Sequence, residues 1–131
     1  MTRPDAADDV SISADGHRLR ARWFARRRGP DQPVVVLLHQ GLGSVSQWRG
    51  FPRALAAATG HAVVGYDRWG HGGSDPLTVP RGRDFLEREA SRALPEVLQA
   101  LAIERPILYG HSDGGTIALL FAAACPDGAR A

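Results

Sequence analysis

Apolar positions along this chain follow two different periods. Continuous apolar runs at 34–38, 61–66 and 107–109 have the length of strands buried on both faces, and the first is preceded by Pro33. Residues 10–14 and 18–24 flank Asp15-Gly16, a dipeptide that favours a two-residue hairpin turn, so an antiparallel pair is predicted at the start of a sheet. Between the buried runs the period lengthens to that of a helix. Residues 46–58 open on Ser46 as a cap and stop at Thr59-Gly60. Residues 84–101 carry Leu86, Ala90, Leu94, Val97, Leu98 and Leu101 as one stripe, which Pro95 interrupts, predicting a kink or two shorter helices. A third helix is predicted over 116–124, stopping before Pro126. Strands alternating with helices in this way predict an α/β fold: a hairpin, then a mostly parallel sheet with flanking helices and right-handed crossovers.

Composition narrows the function classes. The formal net charge is only +2, and the sixteen basic residues, all Arg, are scattered rather than gathered on one element, which argues against nucleic-acid binding. The run Arg26-Arg27-Arg28-Gly29-Pro30 reads as a solvated loop. Cys125 is alone, which excludes an internal disulfide, and its place in an alanine-rich helix end predicts a small buried hydrophobe. The start of the chain is polar and acidic, unlike a signal peptide, and the longest apolar run, 117–125, is well short of the roughly 20 residues of a membrane span. A cytoplasmic protein without membrane association is expected. No His/Cys/Asp/Glu spacing matches a metal site.

Three loops at the carboxyl ends of the predicted strands carry the candidate chemistry, where an open α/β sheet places its ligand crevice. The first is His39-Gln40-Gly41-Leu42-Gly43-Ser44, whose glycines let backbone N–H groups approach a ligand. The second is Tyr66-Asp67-Arg68-Trp69-Gly70-His71-Gly72-Gly73-Ser74-Asp75. The third is Gly110-His111-Ser112-Asp113-Gly114, a GxSxG between an apolar strand and a helix, the strand-turn-helix setting that exposes a serine Oγ at the top of a sheet. A hydroxyl there faces the positive end of a helix dipole and the free N–H groups of its first turn, which stabilise negative charge developing on a substrate oxygen. Gly110 and Gly114 are small because a sharp turn leaves no room for a side chain. The bland alternative is a glycine turn whose serine caps the helix.

With these motifs in order, the chain resembles the α/β-hydrolase superfamily, from the hairpin to the helix after Ser112. The resemblance implies a partial α/β-hydrolase fold with Ser112 as nucleophile, the Asp113 N–H as one oxyanion donor and Gly41 as source of the other, with His39, Gln40, Gly110 and Gly114 in support. Gln40 stands where the family commonly has glycine; its amide either swings toward the crevice or accompanies a different loop geometry. The implied activity is acyl transfer on a small ester, lactone or related carbonyl compound, without a cofactor. The triad acid and histidine of that architecture follow the serine in the chain, yet none of the 19 residues after Ser112 is a histidine. Residues 10–131 are therefore expected to be the N-terminal portion of a hydrolase domain, truncated and inactive alone, and the polar residues 1–9 a disordered leader.

The remaining histidines and acids have quieter readings. Adjacent side chains at a strand end point to opposite faces, which aims His111 away from Ser112. His39 is expected to order its own loop, His71 to bond within the second loop, and His17 and His61 lie at strand beginnings. Asp67 and Asp75 are expected to bond backbone N–H groups of the glycine-rich loop. Trp48 and Trp69 fit either an apolar acyl site or the core. Two rivals stand beside the enzyme. Gly41-Leu42-Gly43-Ser44-Val45-Ser46 imitates a dinucleotide fingerprint, with Ser46 in place of its third glycine. A non-catalytic binding protein, or a gene fragment, on the same fold is the other. In the family's sheet order the 107–109 strand would have a further neighbour, so an apolar edge is expected to invite self-association or a second chain.

Overall fold

The computed structural model of the chain describes residues 8–131. Five strands, β1 (Asp9–Ala14), β2 (His17–Ala25), β3 (Val34–Leu38), β4 (Ala62–Tyr66) and β5 (Ile107–Gly110), form one sheet in the order β1-β2-β4-β3-β5. The hairpin closes through Asp15 (φ 51°) and Gly16 (φ 79°), the paired positive φ values that a two-residue turn with matching twist requires. β2 then pairs antiparallel with β4, while β4, β3 and β5 run parallel.

The unbroken apolar runs are explained by the two layers around the sheet. Every residue of β3 and of β4 is buried. Val34, Val36, Leu38, Ala62, Val64 and Tyr66 face one side and join Leu94, Val97, Leu98, Ile117 and Phe121. Val35, Leu37 and Val63 face the other, against Phe24, Trp48, Leu55 and Ala56. A strand covered on both faces has no polar side to alternate with.

The helices depart from expectation in detail. The helix predicted over 46–58 is two pieces: a 3₁₀ turn (Val45–Trp48) and α1 (Phe51–Thr59). Ser46 caps nothing; Arg49 at φ 53° turns the chain between the pieces, and Gly50 with Pro52 starts α1. Gly60 closes α1 at φ 72°, its N–H donating to Ala56 C=O. The segment 85–100 consists of α2 (Phe85–Arg88), a π-helical turn (Glu89–Ala93) and α3 (Leu94–Ala100). The widened turn ends two residues before Pro95, whose missing N–H breaks the regular ladder. The last helix, α4 (Asp113–Ala124), starts three residues earlier than periodicity predicts.

Three further expectations change. Cys125 is exposed, as are Ala122, Ala123 and Ala124 before it, so the end of α4 stands outside the core. Of the proposed leader, Asp8 and Asp9 are part of the fold, pairing with Arg26 and Arg22, and Asp9 begins β1; positions 1–7 lie outside the described residues. The outer edge of β5 is not bare: Leu108 N–H donates to Ala131 C=O at 2.8 Å and Arg130 N–H to Pro106 C=O at 2.8 Å. Among the described residues, no helix is long and apolar enough to cross a membrane.

Candidate active site

β5 passes into α4 through a corner whose apex is Ser112, at φ 56° and ψ −116°. A non-glycine residue is rarely found there, and holding it costs of order 1–3 kcal/mol, which the surrounding structure must supply. The two motif glycines explain how the corner closes. A Cβ on Gly114 would run into the backbone carbonyl of Leu38, and one on Gly110 into the carbonyl of Gly114. The end of β3, the end of β5 and the first turn of α4 are thus in backbone contact, and His111 N–H donates to Leu38 C=O at 3.1 Å. Ser112 itself is exposed. Asp113, directly after it, is the first residue of a twelve-residue helix, so its N–H has no intrahelical acceptor and lies at the positive end of the helix dipole.

The first loop is held by a buried histidine. His39 is 2% exposed; its Nε2 accepts the Arg68 backbone N–H at 3.0 Å, so Nδ1 carries the proton and donates to Gln40 C=O at 2.6 Å. Burial, and then the neighbouring Arg68 charge, lower the His39 pKa from 6.5 to about 4. The ring is neutral and structural, as its sequence position suggests. The Gln40 carbonyl also accepts from Gly43 N–H at 3.0 Å and from Arg68 Nη2 at 3.1 Å. The Gln40 side chain does not turn into the crevice: its amide donates to Gln47 Oε1 at 2.8 Å. Gly41 lies against the corner, since a Cβ there would sit 2.6 Å from Asp113 Oδ2.

The second loop braces the first. Asp67 is fully buried and accepts from Val45 N–H at 2.7 Å, Gly73 N–H at 2.8 Å and Arg20 Nε at 2.7 Å. Asp75 accepts the Arg18 backbone N–H at 3.0 Å. Asp67 thus bonds a loop N–H as expected, whereas Asp75 serves β2 instead of the glycine-rich loop. His71 reaches further than its own loop: its Nε2 lies 2.7 Å from Gly41 C=O. The two tryptophans part company. Trp48 packs edge-on to Tyr109 at 6.0 Å and lines a cavity of about 130 Å³ with His39, Gln40, Ser44, Gln47 and His111. Trp69 stacks on His17 at 3.9 Å, away from that cavity.

Ser112, Asp113, Gly41, Gly110, Gly114 and His39 are thus gathered at one end of the sheet. Arg68 is the residue that sequence reasoning missed. It is 4% exposed, and its Nη2 donates to the carbonyls of both His39 and Gln40, each at 3.1 Å. The available signal was a positive charge two residues after a fully buried strand, which demands acceptors nearby. Buried Tyr66 pairs with half-buried Glu89, Tyr66 OH donating to Glu89 Oε2 at 2.6 Å, with desolvation raising the pKa of each. Among the described residues no group of three or more His, Cys, Asp or Glu could hold a metal ion.

Comparison with known proteins bears on this geometry. Residues 33–131 match the alpha/beta hydrolase fold family. The chain is 33% identical to a 2-hydroxy-6-oxononadienedioate/2-hydroxy-6-oxononatrienedioate hydrolase of Paraburkholderia phymatum, covering 97% of this chain and 44% of that protein. It is 32% identical to mouse protein phosphatase methylesterase 1, over 92% of this chain and 31% of that one. Among solved structures, the enol-lactonase from Burkholderia xenovorans LB400 superposes with a TM-score of 0.76 at 26% identity, over 92% of this chain and 44% of that chain. The chain therefore spans less than half the length of these relatives. With the family match over three quarters of its residues and a mixed sheet ending in a glycine-lined serine corner, the chain belongs to the α/β-hydrolase fold family.

Proposed function

We propose that this chain carries the nucleophile and oxyanion site of a serine hydrolase acting by acyl transfer on a small ester, lactone or related carbonyl compound. The observation that carries the reading is Ser112 at φ 56° on the corner between β5 and α4, with Gly110 and Gly114 too closely packed to bear a Cβ. Relatives named as a hydrolase of an oxo-dienedioate, a methylesterase and an enol-lactonase support the substrate class. In the proposed reaction the Ser112 Oγ bonds to the substrate carbonyl carbon, its proton passes to a base, and the carbonyl oxygen becomes an oxyanion facing the Asp113 and Gly41 N–H groups. Collapse of that intermediate expels the leaving group, which takes up the proton. Water then repeats the sequence on the acyl-enzyme.

No histidine follows Ser112 in the 131 residues, so the base and its acid partner are assigned to further polypeptide. The surface around the corner supports such a partner. Tyr109 on β5 is 45% exposed, and α4 is apolar on its outer side as well, with Leu119 74% exposed.

Labelling with a fluorophosphonate in concentrated imidazole, which supplies a base from solution, tests the nucleophile. Mass spectrometry should locate one adduct on Ser112, absent from Ser112→Ala. A wild-type chain that stays unmodified at Ser112 under these conditions favours the alternative of a non-catalytic binding protein.

A further inference from the structure

We propose that His71 is a positioning residue for the oxyanion site, holding the Gly41 carbonyl so that the first loop keeps its N–H groups turned toward Ser112. The inference rests on the serine-hydrolase reading given above. Two consecutive carbonyls of the first loop point into one cluster of donors. Gln40 C=O accepts from His39 Nδ1 at 2.6 Å and Arg68 Nη2 at 3.1 Å. Gly41 C=O accepts from His71 Nε2 at 2.7 Å, and the His39 and His71 rings lie 4.7 Å apart. In a trans peptide the N–H is antiparallel to the C=O. The N–H groups of Gly41 and Leu42 therefore face away from that cluster.

A restraint is needed because of the residue type. Glycine has no Cβ to restrict its flanking peptides, and a flipped Gly41–Leu42 peptide would turn a carbonyl dipole toward a developing oxyanion. The Gln40 carbonyl has three donors, whereas the Gly41 carbonyl has His71. His71 is itself oriented from behind. Its Nδ1 lies 3.2 Å from Trp69 C=O and 3.3 Å from Arg81 Nη2, and the same Arg81 nitrogen donates to Trp69 C=O at 3.2 Å. The line Arg81, His71, Gly41 thus runs from the exposed surface to the loop without using a core residue. Preorganised donors stabilise an oxyanion because they need not reorient during reaction, and removing one typically costs roughly 10²–10³-fold in rate.

The test is imidazole-supported fluorophosphonate labelling of the 131-residue chain, resolved into a binding constant and a maximal modification rate. His71→Phe keeps a ring but no donor, and its maximal rate should fall tenfold or more with the binding constant within about twofold and the urea midpoint retained. His71→Gln, whose amide can donate to Gly41 C=O, should recover most of the rate. Arg81→Met should lower it by a smaller factor. A folded His71→Phe that labels at the wild-type rate, or His71→Phe and His71→Gln that fall equally, overturns the proposal while leaving Ser112 as nucleophile. A wild-type chain unlabelled at Ser112 overturns the hydrolase reading and this inference with it.

Discussion

His39 offers a test in which the structure sets both sign and size. Its ring is buried beside Arg68, and its pKa lies at about 4 instead of 6.5, through burial first and the Arg68 charge second. Between those values the unfolded chain binds a proton that the folded chain refuses. The stability tied to this group is complete above pH 6.5 and is lost as the pH falls toward 4. At 1.36 kcal/mol per pH unit the whole interval corresponds to about 3 kcal/mol, most of which is gone by roughly pH 4.5. Glu89 acts in the opposite direction over part of this range. Burial raises its pKa above 4.5, so its ionisation weakens the fold as the pH rises. The assay is therefore a difference between wild type and His39→Gln in urea unfolding, from about pH 8 to about pH 4.5. The stability advantage of wild type should shrink by roughly 2–3 kcal/mol across that span. The folded His39 Cε1 proton should hold its chemical shift down to about pH 5 in NMR. A difference that stays flat with pH, or a His39 ring titrating near 6.5 in the folded chain, would refute the argument.

Two further outcomes follow from the same geometry. Ser112→Gly should remove the corner's backbone strain and raise the unfolding free energy by about 1 kcal/mol in urea, even after the greater freedom of glycine in the unfolded chain is counted, while abolishing fluorophosphonate labelling; a loss of stability would mean that the φ of 56° costs nothing. Asp67→Ala leaves the Val45 and Gly73 N–H groups and the Arg20 guanidinium without their common acceptor, and should cost about 3 kcal/mol or more in thermal unfolding, an effect that a merely surface-exposed acid could not produce.

The candidate site was legible to the extent that local backbone demands were. Gly110 and Gly114 announce a corner because only glycine fits where Leu38 C=O and Gly114 C=O approach, and Asp15-Gly16 announces a turn because both positions need positive φ. Ser46 misled because a good capping residue signals a helix start only when the chain continues helically, and Arg49 at φ 53° interrupts it. Cys125 misled because an alanine-rich helix end resembles core, whereas exposure depends on what packs against that end.

By itself the sequence determined the order of strands and helices, the two-faced burial of β3 and β4, and the serine corner, since each rests on residue types within a few positions of one another. Only the tertiary structure decided which carbonyls Arg68 and His71 would satisfy, that Gln40 would bind Gln47 instead of the crevice, and that Asp67 would join β2, the first loop and the second. Those partners are up to 47 residues apart in the chain. A hydrogen bond across such a distance is fixed by how the sheet brings loop ends together, and no local pattern of side chains records it.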